Sequence, residues 1–249
     1  MAHRFFVTPD QIINDKVKIL GDDYRHLVRV LRIQLGEIIF VTAGMGSTYR
    51  AKVNKIDDSK VIGEIIEKLE VNTESPVALT LFQGLAKGDK MDLVIQKAVE
   101  LGVTKIVPFF SERTVVKLDV KKEEKRVERW QRIAKEAAKQ NQREIIPTVS
   151  LPSTINEMVE YVKQKDATEL FLVPYELEEK QGLKDLEIVP PPQAISIAIG
   201  PEGGFSVPEI DQLVEAGATT ITLGPRILRT ETAGLVALAL VGYKWGDLG

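Results

Sequence analysis

Ile195-Ser-Ile-Ala-Ile199-Gly200-Pro-Glu-Gly-Gly-Phe205 is the stretch on which the fold turns. A mainly apolar run of strand length ends abruptly in glycines. Ser206-Val-Pro-Glu209 then has the form of a helix start, with Ser206 as N-cap and Glu209 reaching back three residues later. A strand that hands over to a helix through a glycine loop places that loop at the strand's carboxyl end, where open α/β sheets bind ligands. Its glycines allow backbone amides close to a bound molecule, although a plain tight turn would use the same residues.

The same pattern recurs downstream. Thr219-Thr-Ile-Thr-Leu223 ends in Gly224-Pro225, and Arg226-Ile-Leu-Arg229 leads to an apolar helix over Thr230–Trp245, with Thr230 expected as its N-cap. Two glycine-bearing loops are therefore expected on one sheet edge. Glu231 complements the positive start of that helix. Arg229 does the opposite, so it is the residue in these loops expected to meet an anion.

Upstream, strands and helices alternate. A strand at residues 78–82 leads through Gly84 and Gly88 to a helix from Lys90 to about Leu101, with Met91, Val94, Ile95 and Ala98 on one face and Gly102 as its stop. A strand over Lys105–Phe110, a long charged helix at about 121–142, a helix over Ile155–Gln164 and a strand at 169–173 follow. This alternation predicts a mainly parallel sheet covered by helices.

The first third reads differently. Short strands at residues 16–20, 37–42, 47–53 and 60–66, punctuated by Gly21, Gly36, Gly44 and Gly46, predict a small β-barrel. One helical stretch at 22–32 interrupts them, with Leu27, Val30 and Leu31 toward a core and Arg25, Arg29 and Arg32 at i, i+4 and i+7 on another face. The polar, proline-bearing segment 70–77 is the linker candidate. The expected division is a barrel over 1–72 and an α/β domain over 73–249.

Composition removes several chemistries. The 249 residues include no cysteine, so neither a disulfide framework nor a thiolate nucleophile is available. The two histidines, His3 and His26, both fall in the expected barrel, which argues against a zinc site or a Ser-His-Asp triad in the α/β part; no metal is expected. A net charge of −3 disfavours coating of nucleic acid by bulk charge, so any RNA contact comes from local patches. The amino-terminal residues lack an apolar signal core and no apolar run approaches the roughly 20 residues of a membrane span, so a soluble cytoplasmic protein is expected.

Several segments together resemble one family. They are His3-Arg4-Phe5-Phe6, His26-Leu-Val-Arg29-Val-Leu-Arg32, Lys87-Gly-Asp-Lys90-Met-Asp92, Gln96 to Gly102, Arg129-Trp130, Gln140 to Arg143, and the two glycine loops. The chain is similar from end to end to the bacterial 16S ribosomal RNA (uracil-N3)-methyltransferases, the RsmE family. It departs from them in Arg25-His26, where the family often has two histidines.

The resemblance implies a PUA-like barrel for RNA docking and a SPOUT domain with a trefoil knot at about 195–246, acting as a homodimer on 16S ribosomal RNA in the assembled small subunit. It implies S-adenosyl-L-methionine as cofactor, held near Leu172, Val173, Pro174 and Tyr175, by Gly200, Pro201, Glu202 and Gly203, and by Leu223, Gly224, Ile227, Leu228, Thr232 and Ala233. Arg229, Glu202 and Glu231 are the expected catalytic residues. Arg4, Arg25, His26, Arg29, Arg32, Lys87, Lys90 and Arg143 are expected on RNA. Two other readings compete: a non-catalytic ribosome-associated RNA-binding module whose glycine loops are only turns, and a nucleotide-using enzyme, which lacks a phosphate-loop signature.

Overall fold

A computed structural model of the chain describes residues 4–44, 46–70, 73–115 and 120–249; His3 lies outside them. The chain forms two compact units, Met1–Glu74 with Ala138–Ile145, and Ser75–Ala137 with Ile146–Gly249.

The first unit is a six-stranded mixed sheet. Its strands are β1 (Arg4–Val7), β2 (Ile12–Ile13), β3 (Lys16–Leu20), β4 (Ile38–Ala43), β5 (Ser47–Ile56) and β6 (Lys60–Leu69), in the order β1-β4-β5-β6-β3-β2. Only the β1–β4 pair is parallel. The β5–β6 register shifts at Arg50/Ala51 and Val53/Lys55. Such bulges bend a strand and deepen its twist, which lets the sheet wrap its own core. Alternation does the rest: Val17 and Ile19 on β3, and Ile39 and Val41 on β4, point inward with Phe5 and Leu27.

Helix α1 (Gly21–Arg25) departs from the expected 3.6-residue winding. It runs on through a wider turn over His26–Val30, in which the Leu31 N–H donates to the His26 carbonyl five residues back at 3.0 Å. Arg32 then takes a left-handed φ of 52° beyond the helix, so the i, i+7 relation to Arg25 is not a helical one. Arg25, His26, Arg29 and Arg32 are all exposed.

Arg143 is corrected more sharply. Its residue is 3% exposed, and its guanidinium is paired with the Glu74 carboxylate, which also accepts the N–H groups of Glu144 at 2.9 Å and Ile145 at 3.2 Å. A cation enclosed and neutralised in this way fastens the 138–145 segment to Glu74 within the first unit and is not offered to RNA.

The second unit is built on β7 (Ala78–Gly84), β8 (Lys105–Phe110), β9 (Thr148–Val149), β10 (Ser153–Thr154), β11 (Glu169–Pro174), β12 (Ala194–Ile199) and β13 (Thr219–Ile221). All pairs are parallel, in the order β10-β8-β7-β12-β11-β13, with β9 also on β8. Five of the six residues of β12 are buried, as a central strand covered on both faces requires. The helices are α2 (Lys90–Glu100), α3 (Val120–Gln140), α4 (Ile155–Gln164), α5 (Val207–Glu215) and α6 (Thr230–Trp245). Among the described residues no helix is long and apolar enough to cross a membrane.

Local chemistry sets two of the helix starts. Thr154 and Glu157 form a reciprocal capping box on α4, the Glu157 N–H donating to Thr154 Oγ1 at 3.2 Å and the Thr154 N–H to Glu157 Oε2 at 2.7 Å. At α5 the Ser206 N–H donates to Glu209 Oε2 at 2.7 Å, the return bond expected of that pair. The start of α6 is shifted from expectation: Arg229 is the N-cap and Thr230 the first helical residue. The Thr230 side chain has other partners, described below, and cannot serve as the cap.

Candidate active site

Three loops leave the carboxyl ends of adjacent strands of the second unit: 175–179 after β11, 200–205 after β12 and 222–229 after β13. They enclose a cavity of about 970 Å³. The sequence announced two of these loops through their glycines. The first, Tyr175-Glu-Leu-Glu-Glu179, contains no glycine and reads as ordinary polar chain.

The glycine loop is seated by close packing. A Cβ on Gly84, at the end of β7, would lie 2.4 Å from the Pro201 nitrogen, so the backbones meet there at a distance only glycine permits. Gly204 sits at φ 68°, with Glu176 Oε1 2.7 Å from where its Cβ would be. A buried relay adds direction. Fully buried Gln83 donates from Nε2 to Thr230 Oγ1 at 2.9 Å, and the Thr230 hydroxyl donates to the Gly200 carbonyl at 2.6 Å. The end of β7, the first turn of α6 and the glycine loop are thereby tied together, a link that no local sequence pattern marks.

Of the expected cofactor residues, Pro174, Tyr175, Gly200, Pro201, Glu202, Gly203, Leu223, Gly224, Ile227, Leu228 and Ala233 line the cavity. Leu172 and Val173 do not. Both are fully buried in β11, upstream of the point where the chain leaves the sheet, and Val173 belongs to the core with Phe82, Phe109 and Phe171. Thr232 is also off the wall; it is exposed on the first turn of α6, its N–H bonded to the Arg229 carbonyl at 2.8 Å.

The charged residues assemble differently from the expectation. Lys90, expected on RNA, is in the cavity wall with Glu202 and Glu231: its Nζ is 3.1 Å from Glu202 Oε1 and 3.3 Å from Glu231 Oε2. The reason is its place at the first residue of α2, directly after the Gly84 contact. Glu202 Oε1 also accepts the Lys87 backbone N–H at 3.1 Å. Burial pushes the Glu202 carboxyl up, but the Lys87 N–H and the Lys90 ammonium more than offset it and leave it below its ordinary range. The hydrogen bond to Glu202, with further help from Glu231, holds the Lys90 ammonium above its ordinary value.

Arg229 lines the same cavity and is exposed, and its guanidinium makes no hydrogen bond or ion pair among the described residues. Arg113, which the sequence did not single out, donates from Nη1 to the Gly203 carbonyl at 3.1 Å and braces the loop. In the first unit, Arg4 is half-buried and donates to the Arg143 carbonyl at 3.2 Å, while Arg25 holds an exposed ion pair with Asp22 at 3.0 Å.

Five carboxylates, Glu176, Glu178, Glu179, Glu202 and Glu231, face three cations, Lys90, Arg226 and Arg229, around the cavity. That balance suits a ligand carrying positive charge and repels a polyphosphate, which counts against a nucleotide-using enzyme.

Residues 73–242 match the RNA methyltransferase domain, and residues 19–66 match the RNA methyltransferase PUA domain. Ribosomal RNA small subunit methyltransferase E of Bacillus subtilis is 37% identical over 231 residues, 91% of this chain and 89% of that protein. The protein of the same name from Synechocystis is 36% identical, over 97% of this chain and 77% of its own length. Among solved structures, ribosomal RNA small subunit methyltransferase E from Neisseria gonorrhoeae, bound to S-adenosyl methionine, superposes with a TM-score of 0.87 at 33% identity, covering 99% of each chain. With both domains matched and these relatives aligned over most of their length, the chain belongs to the ribosomal RNA small subunit methyltransferase E family of PUA-bearing RNA methyltransferases.

Proposed function

We propose that this protein transfers a methyl group from S-adenosyl-L-methionine to N3 of a uridine in 16S ribosomal RNA of the small subunit, in the cytoplasm and as a homodimer. The observation that carries the reading is the convergence of three strand-end loops on one carboxylate-rich cavity, with Arg229 left unpaired at its wall. The cavity is ample for a nucleoside-sized ligand, and its surplus of carboxylates suits the sulfonium and ammonium charges of this cofactor. The cofactor, when bound, supplies an electrophilic methyl group. Everything else falls to the chain: Pro174, Gly200 to Gly203 and Leu223 to Leu228 hold it, Arg229 meets the RNA phosphate or charge developing on the base, and a carboxylate receives the N3 proton.

Between the two candidate acceptors, Glu231 is favoured. Glu202 is committed to the Lys87 N–H and to Lys90, whereas Glu231 Oε2 has no hydrogen-bond donor. The exposed His26, Arg29 and Arg32, with Arg25, are the RNA-docking group of the first unit, and exposed Lys87 stands beside the cavity loop. Arg25 is available despite its pairing, because exposed ion pairs contribute little. The proposed dimer has material in α6, an apolar helix with Leu240 and Tyr243 exposed. A trefoil knot over about 195–246 is part of the same proposal.

Mass spectrometry of small-subunit RNA, methylated by the purified protein, tests the reading. Methylation at N3 of one uridine is expected. A methyl group on ribose, on another base atom or on the large subunit would overturn it. Failure to bind S-adenosyl-L-methionine in calorimetry would return the non-catalytic RNA-binding module to first place.

A further inference from the structure

Lys90 places a cationic donor beside a carboxylate that lacks one. An ammonium has three N–H bonds. One goes to Glu202 Oε1 at 3.1 Å, and the approach to Glu231 Oε2 at 3.3 Å is an ion-pair contact that leaves that oxygen without a hydrogen bond. The Glu231 side chain is 14% exposed, so water offers it little, and the Lys90 contact neutralises its charge while leaving Oε2 short of a directed N–H donor. A ligand that gives Glu231 an N–H and takes one from Lys90 satisfies both.

The pairing edge of uracil has that pattern: the N3–H donor is flanked by carbonyl acceptors. Cytosine reverses it, with a bare N3 beside an amino donor. Methylation at N3 also needs both groups. The N3–H bond breaks and its proton leaves, the nitrogen pair forms the new N–CH3 bond, and the S–CH3 bond breaks with its electrons going to sulfur. Negative charge appears on the carbonyl oxygens as the proton departs.

Resting on the uridine-N3 reading above, we propose that Lys90 and Glu231 act as one base-reading pair, Glu231 accepting the N3–H and then its proton, and Lys90 donating to the adjacent carbonyl oxygen. The pair selects uracil because donor meets acceptor at both positions. With Lys90 on O4, cytosine would set its lone pair against the carboxylate and its amino group against the ammonium, two desolvated mismatches in one site. Glu202 is the positioning residue that fixes Lys90, and the two carboxylates keep that ammonium protonated, a donor and not a base.

The test uses Glu231→Gln, Lys90→Met and Lys90→Arg in single-turnover methylation of small-subunit RNA carrying uridine or 5-fluorouridine, whose N3–H is more acidic. Wild-type protein is assayed first; methylation at another atom defeats the uridine reading before any variant is made. With that reading intact, Glu231→Gln is expected to lose roughly 100-fold or more on uridine, as removal of a proton acceptor does. Its rate should rise with pH and recover at least about tenfold on 5-fluorouridine, while cofactor affinity and melting temperature stay near wild type. Lys90→Met should be slow on both RNAs, with Lys90→Arg restoring much of the rate. Equal Glu231→Gln losses on the two RNAs with a flat pH profile, or losses confined to cofactor affinity in calorimetry, would overturn the pair. Should Glu231→Gln not fold, Glu231→Asp provides the same comparison, with recovery on 5-fluorouridine the deciding result.

Discussion

Gln83 and Thr230, 147 positions apart, share a buried hydrogen bond of 2.9 Å, and through the Thr230 hydroxyl that bond reaches the Gly200 carbonyl. The glycine loop is therefore held from the interior as well as by its own turn. Thr230→Val keeps the shape but removes one acceptor from the Gln83 amide, which keeps its bond to the Gly84 carbonyl, and takes the hydroxyl donor from the Gly200 carbonyl. A loss of about 1–3 kcal/mol is expected in denaturant unfolding, with weaker binding of S-adenosyl-L-methionine in calorimetry, and Thr230→Ser should restore both.

Gly84→Ala introduces a methyl group 2.4 Å from the Pro201 nitrogen. Backbone must move on one side or the other, so the variant should lose several kcal/mol or shift the 200–205 loop. A melting temperature and cofactor affinity both equal to wild type would show that the two backbones do not seat the loop by this contact.

Arg229 lacks a partner among the described residues, so its removal leaves nothing unpaired. Arg229→Ala should change the melting temperature little and reduce turnover by about 100-fold or more. Retained turnover with a destabilised fold would assign Arg229 a structural task.

Arg143 carries the opposite expectation. Arg143→Met leaves Glu74 charged in a largely enclosed setting and should cost about 3–5 kcal/mol, measured in chemical unfolding. RNA affinity of the variant that remains folded should be nearly unchanged.

Glu202 gives a pH signature. Its folded carboxyl titrates below its ordinary value of 4.5, so its contribution to stability is fully present above that value and is lost as pH falls through the lower, folded one. Melting temperatures followed from pH 6 downward should fall less steeply in Glu202→Gln than in wild type, with the difference confined to the acid end.

The α/β half was legible because its signals are local. The run ending at Ile199, the Ser206–Glu209 pair and the apolar span Thr230–Trp245 each declare themselves within a dozen residues, and the helix over Ile155–Gln164 emerges with the expected bounds. Strand β1 was missed, since four residues, Arg4–Val7, give too short an alternation to stand out. The wide turn at His26–Val30 was missed because 3.6-residue periodicity is the default that any apolar spacing evokes.

Local residue patterns set the elements, the two glycine loops at strand ends, and Arg229 as the residue in them without a folding motive. Which charges meet follows from the folded chain. Lys90 joins the Glu202–Glu231 cluster at the cavity wall, Arg143 disappears into an ion pair with Glu74, and Thr230 gives up capping to bridge Gln83 and Gly200. The reason is physical: helix starts and turns follow from neighbours a few residues apart, whereas the partner of a buried charge or hydroxyl is set by the tertiary fold, which brings together residues 30 to 147 positions apart.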